Sequence, residues 1–310
     1  MSERGLRRRW RKNGASRWAL ALLTVALIAS VPVALASAEG SSSSSKKPST
    51  GKALRKAKWA GNVSVSFSDG SFRYRSDGVP KRGVLKEYAV PNPFVVVPNE
   101  TNAHIAPSSE VVKKQIYNFE ITTEPRKAKK PTDVFTGPVG VMINGALLFN
   151  PYEGDGETVA MASNFTLTNA AGEQVPFLDG CNGHPSPGPI YAYHYHGLPV
   201  CVTETVDKSK GPSHIIGVAF DGFPIYGDRD VKGRQIKAGQ LDRCNGITSP
   251  TPEFPQGVYH YVVLDIAAAK SSIDCFRGRV QDLPEGAYRV TRDGKAIPKL
   301  ICTLLARRVS

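Results

Sequence analysis

Four short features occur twice in this chain, in the same order, and they restrict its fold more than any other property of the sequence. Residues 140–150 read Gly-Val-Met-Ile-Asn-Gly-Ala-Leu-Leu-Phe-Asn and align without a gap on residues 217–227, Gly-Val-Ala-Phe-Asp-Gly-Phe-Pro-Ile-Tyr-Gly. Each reads as a strand, a two-residue Asn-Gly or Asp-Gly turn of type I′, and a second strand. Residues 178–183 (Leu-Asp-Gly-Cys-Asn-Gly) match 241–246 (Leu-Asp-Arg-Cys-Asn-Gly), Tyr193-His194-Tyr195 matches Tyr259-His260-Tyr261, and a cysteine follows each, Cys201 and Cys275. Only the spacers differ. The pattern predicts a duplicated, hairpin-containing unit, about residues 137–201 and 215–275, packed around a pseudo-two-fold.

Around this unit the chain divides by composition. Residues 1–38 carry a basic segment, an apolar run from Trp18 to Ala34, and the small-x-small sequence Ala36-Ser37-Ala38, which together read as an export signal cut after Ala38. No stable membrane span is expected once it is removed. Losing its seven basic residues and one acidic residue lowers the formal charge from +13 to +7. Residues 39–58, Ser-rich and then Lys-rich, read as a disordered basic spacer. No helix with a basic face and no basic motif interleaved with aromatics appears, so nucleic acid is excluded as the expected partner despite the high pI.

Globular composition begins near Trp59. Residues 59–136 read as a β-rich part of the domain, with strand-like texture in Val63–Phe67, in the apolar run 94–97 and in the alternation of residues 115–122. Only short helical turns are expected, at residues 110–114 and 265–271. Residues 279–310 read as a C-terminal β extension. The fold class expected is mainly β, or β-rich α+β.

Export implies an oxidising compartment, in which cysteines pair. The doubled pattern points to Cys181–Cys201 and Cys244–Cys275 as equivalent bridges, although spacing alone allows other pairings. Cys302 is left over as a buried thiol in an apolar C-terminal segment, and the absence of Cys-x-x-Cys excludes a thiol oxidoreductase.

The sequence Cys181-Asn-Gly-His184-Pro, then Tyr193-His-Tyr-His196-Gly-Leu-Pro-Val-Cys201, then residues 216–227 with Asp-Gly-Phe-Pro-Ile-Tyr-Gly, resembles the YHYH-domain family of exported bacterial proteins. The resemblance spans about residues 137–278. It implies a place for the protein in periplasm, cell wall or medium. It names a family and not a chemistry, which has to come from the residues themselves.

The two halves differ where chemistry is concentrated. His194 is matched by His260, but His196 is matched by Val262 and His184 by Ile247. A purely structural role would place similar residues in both. On a strand His194 and His196 share a face, with Cα atoms about 6.6 Å apart. Neutral imidazoles at this spacing, with His184 as a third donor, suit Zn or Cu. His260, His214, Asp179 and Asp221 are candidates for a fourth ligand or for orienting a ligating ring. No phosphate-binding loop, nucleophile elbow or His-Glu-x-x-His occurs, so no nucleotide cofactor is expected and catalytic residues are not assigned.

Three readings stay open: an extracytoplasmic protein that binds a transition metal; an extracytoplasmic metal-dependent or histidine-based hydrolase acting on a cell-envelope substrate; and a disulfide-stapled interaction module without metal. The partner expected is a metal ion or a small-molecule or cell-envelope ligand. With three methionines in the chain, a Met-rich copper carrier is disfavoured.

Overall fold

The computed structural model describes residues 49–92, 99–134 and 136–280, together with the backbone of residues 288–290 and 295–298. The export segment 1–38, the first part of the spacer, the apolar run 94–97 and Cys302 with most of the C-terminal extension lie outside the described residues. No helix among the described residues is long and apolar enough to cross a membrane.

Strands dominate. The chain enters through a helical turn, α1 (Thr50–Leu54), then β1 (Val63–Phe67), β2 (Ser71–Ser76), β3 (Glu87–Pro91), β4 (Ala103–Pro107), the turn α2 (Ser108–Val111), β5 (Tyr117–Thr122) and β6 (Lys127–Val134). It continues through β7 (Pro138–Met142), β8 (Leu147–Phe149), β9 (Thr166–Thr168), β10 (Gln174–Pro176), β11 (Gly183–Pro185), β12 (Tyr193–Tyr195) and α3 (Val200–Val206). Then follow β13 (Ile215–Ala219), β14 (Pro224–Tyr226), β15 (Gly246–Ser249), β16 (Val258–Val262), β17 (Cys275–Gly278), β18 (Tyr288–Val290) and β19 (Lys295–Pro298).

Among the described residues the largest sheet has eight strands, in the order β11-β12-β8-β7-β13-β14-β16-β15. From its centre each half runs outward alike: a hairpin (β7–β8 or β13–β14), a parallel partner (β12 or β16), then an antiparallel edge strand (β11 or β15). The registers correspond as well. Tyr195 pairs with Leu148 as Tyr261 pairs with Ile225, and Gly183 pairs with Tyr195 as Gly246 pairs with Tyr261. At the seam β7 and β13 run antiparallel, Gly217 opposite Met142 and Ala219 opposite Gly140. A Cβ on Gly217 would lie 2.5 Å from the Val141 carbonyl oxygen and one on Gly140 2.7 Å from that of Val218, so both positions need glycine for the backbones to approach.

The hairpin turns differ from the two-residue type I′ expected. Gly145 donates to the Met142 carbonyl and the Met142 N–H reaches the Ala146 carbonyl; Gly222, Ala219 and Phe223 form the same pattern. Only the glycine of each pair is left-handed (φ 101° and 85°), whereas type I′ requires positive φ at Asn144 and Asp221 too. Each loop therefore has three residues and closes on its glycine, which leaves the Asn or Asp side chain to bond elsewhere.

Both faces of this sheet are covered, and β7, β12, β13 and β14 are buried at every position. The sheet β1-β2-β5 supplies part of the cover. Alternation along β2 and β5 turns Phe72, Tyr74, Tyr117, Phe119 and Ile121 inward, Phe119 packs edge-on to Phe220 at 5.0 Å, and Tyr74 donates to the Met142 carbonyl. A fully buried side chain of this kind contributes about 1.5–3 kcal/mol, so the segment belongs to the core. The basic spacer expected over residues 39–58 also stops short of its far end. Ala53 and Leu54 of α1 are buried in the same core, and the Trp59 indole donates to the Leu54 carbonyl, because three apolar groups among the lysines suffice to anchor that turn.

Candidate metal centre

The site begins with a turn. Asp179 Oδ1 accepts the N–H groups of Cys181 and Gly183, at 2.8 and 3.0 Å, while Asn182 takes the left-handed conformation its short polar side chain tolerates (φ 64°). Asp179 Oδ2 accepts the phenols of Tyr193 (2.7 Å) and Tyr88 (2.8 Å). A Cβ on Gly183 would collide with the Tyr193 phenol, so this glycine lets β11 lie against β12. Cys181–Cys201 closes the segment, with Cα atoms 5.3 Å apart. The turn therefore sets His184 directly opposite His194 in the ladder.

Three imidazoles meet on the histidine face of β12. The ligand-capable atoms of His184, His194 and His196 all lie within 4.8 Å of one another, and the residues are only 2, 3 and 1 % exposed. His194 Nε2 and His196 Nε2 are 3.0 Å apart. Their other nitrogens are already engaged: His194 Nδ1 is 2.9 Å from the Ala192 carbonyl, with Ser186 Oγ farther off at 3.4 Å, and His196 Nδ1 is 2.6 Å from the Asn150 carbonyl. A carbonyl only accepts, so these contacts place the single hydrogen of each neutral ring on Nδ1. Two bare Nε2 lone pairs are left facing each other. Protonation does not resolve this, since burial pushes His196 down to about 4 and holds His194 well below the ordinary histidine range, the neighbouring His196 adding to the effect.

His184 has no hydrogen-bond partner at either nitrogen. Burial first, then the two neighbouring imidazoles, hold it well below its ordinary value as well. Phe149 stacks on His194 at 3.9 Å and Phe177 lies 4.2 Å from His184, which walls the cluster with aromatic rings. One further group reaches it. Glu153 Oε1, from the loop after β8, lies 3.7 Å from His184 Nε2 and 3.6 Å from His196 Nε2, buried and without a hydrogen bond. Burial, and secondarily the charge of Asp155, pushes its carboxyl up to about 8.

The family model described as YHYH protein matches residues 118–235 and 230–278, more than half of the chain. The chain belongs to the YHYH family. No curated protein and no solved structure matches it. Within this YHYH domain, Tyr193-His194-Tyr195-His196 supplies two of the three clustered rings while its tyrosines point to the opposite face, where Tyr195 accepts from Asn144 at 2.8 Å.

The corresponding place in the second half of the YHYH domain is apolar. Ile247 and Val262, which stand where the first half has His184 and His196, pack with Ile236 and Leu264. His260 occupies the position of His194, its Nδ1 3.1 Å from the Val258 carbonyl and its ring 4.9 Å from Tyr226, and burial lowers it to about 4. It does not join the cluster. Neither do the other three residues considered as a fourth ligand. Asp179 is committed to the turn and two phenols; Asp221 accepts from the Tyr261 phenol and the Gly278 N–H; His214, 39 % exposed, pairs with Glu253 at 2.8 Å. Cys244–Cys275 and the Asp242–Tyr259 bond brace this half as their counterparts brace the first.

Proposed function

We propose that this YHYH protein is an extracytoplasmic binder of a transition metal ion, Zn or Cu, held through His184, His194 and His196. The observation that carries the reading is the pair of opposed Nε2 lone pairs, 3.0 Å apart, each left bare by a committed Nδ1. A tetrahedral ion about 2.05 Å from each nitrogen keeps two ligating nitrogens about 3.3 Å apart, so the observed pair suits one ion between them. The backbone carbonyls on Nδ1 fix the tautomer that metal ligation needs. Among the described residues three of the six buried side-chain polar atoms without a hydrogen bond belong to this cluster: both nitrogens of His184 and Oε1 of Glu153. Leaving such an atom unpaired costs about 1–3 kcal/mol, and a bound cation would satisfy one nitrogen of His184, the other keeping its hydrogen.

When bound, the ion would supply Lewis acidity and positive charge at the meeting point of the rings. This chain's own residues orient the donors and exclude water. The enclosure favours holding an ion over processing a bulky substrate. Two disulfides support a location outside the cytoplasm. We also read the halves as copies of one duplicated unit of which only the first kept the ligand set; the paired registers, turns and bridges support this.

Equilibrium dialysis against Zn(II) and Cu(II) tests the reading. The parent should take up about one ion per chain and a His194→Ala/His196→Ala variant none. A folded parent that binds neither metal would leave the histidines as core groups and return the module to a structural role.

A further inference from the structure

The metal reading leaves the coordination number open, and with it the question of whether the centre has room for a substrate. Three imidazoles alone would leave a fourth position for water, the arrangement of hydrolytic zinc enzymes. Glu153 bears on that position. Its Oε1 is buried, lacks any hydrogen bond, and sits 3.6–3.7 Å from the Nε2 atoms of two different rings, His196 and His184. That distance is too long for a hydrogen bond to either. It is close to the separation of two ligands on one ion. The backbone beneath is fixed, since Glu153 N–H reaches the Thr158 carbonyl at 2.9 Å and its carbonyl accepts from Gly156 N–H (2.9 Å) and Thr136 Oγ1 (3.2 Å). The side chain, 11 % exposed, therefore enters the cluster from a pinned turn.

We propose that Glu153 is the fourth ligand, which closes an N3O set around a divalent ion of the zinc class and leaves no position for substrate. The proposal rests on the metal reading above. A carboxylate is a hard donor, which suits Zn(II) or Co(II) and disfavours Cu(I), whose preferred partners are thiolates and thioethers. The corresponding function is retention of an ion, for structure or storage, and not hydrolysis.

Co(II), whose visible bands report coordination number, is the probe. Metal-stripped full-length protein is titrated with Co(II), beside Glu153→Gln, with azide added to each as an exogenous ligand. The parent should give intense four-coordinate bands that azide leaves unchanged. Glu153→Gln should bind Co(II) roughly tenfold or more weakly, with altered bands that now respond to azide. Azide-responsive bands in the parent would overturn the proposal even if the variant failed to fold. Identical bands and affinity in parent and variant would overturn it too, and both results would leave the three-histidine reading standing. A folded parent that takes up no Co(II) would overturn both.

Discussion

Replacing His184 by Ile and His196 by Val gives the first half of the sheet the residues that the second half already has at Ile247 and Val262, where they pack in an apolar cluster. If the histidines exist for a metal, their presence in the metal-free protein is a liability, and the double variant should be the more stable protein in chelator. Its gain follows from the geometry. The two unpartnered nitrogens of His184 each cost about 1–3 kcal/mol, and the lone-pair opposition at His196 disappears. Against this stand the lost His196–Asn150 hydrogen bond, about 1 kcal/mol, and the smaller Val side chain, about another 1 kcal/mol. The expected net is about 1–3 kcal/mol of stabilisation, read from urea unfolding with excess chelator. Free Zn(II) at a thousand times Kd adds about 4.1 kcal/mol to the parent and nothing to the variant, so the order should invert. If the variant instead loses several kcal/mol in chelator, the three rings stabilise the core by themselves and the reasoning fails.

Other predictions concern the frame around the site. Burial raises Asp221 from 3.8 to about 6, so the folded state holds that proton more tightly than the unfolded one. Its contribution is full below pH 3.8 and fades as pH rises through about 6, a loss of roughly 3 kcal/mol. Asp221→Asn, which installs the residue found at Asn144, should remove that part of the slope; superimposable parent and variant profiles between pH 4 and 7 would refute it. Replacing Cys181 and Cys201 by Ser opens a 20-residue loop and should cost about 3 kcal/mol by denaturant titration, with weaker metal binding, because the bridge fixes the turn that presents His184. Gly183→Ala should destabilise more than Gly239→Ala by a few kcal/mol, since its methyl meets the Tyr193 phenol while nothing surrounds Gly239; equal effects would mean β11 gives way without cost.

Much of the histidine cluster was legible because strand geometry acts locally. The alternation Tyr193-His194-Tyr195-His196 alone places two imidazoles on one face, and the comparison with Val262 and Ile247 singles out His196 and His184. Glu153 was not legible. It lies thirty-one residues before His184 on an irregular loop, and only the packing of that loop over β12 brings it to the rings. The two carboxylates that the sequence offers instead, Asp179 and Asp221, brace turns and phenols, a role that the glycine following each already fits. Helix α3 was hidden for another reason: Val200, Val202, Thr203, Thr205 and Val206 are β-branched and favour strand, and tertiary context after Cys201 overrides that preference. The hairpins were placed correctly but their turns were not, because an Asn-Gly pair serves a two-residue or a three-residue loop and the choice depends on the backbone around it.

The central claim is that one ion sits where the three rings meet. A crystal structure of the protein with anomalous data at the Zn and Cu edges tests this most directly. The account predicts a single anomalous peak about 2.0–2.1 Å from the Nε2 atoms of His194 and His196, with His184 turned toward it. Metal-soaked crystals without such a peak, with the rings joined by hydrogen bonds or a water, would contradict it.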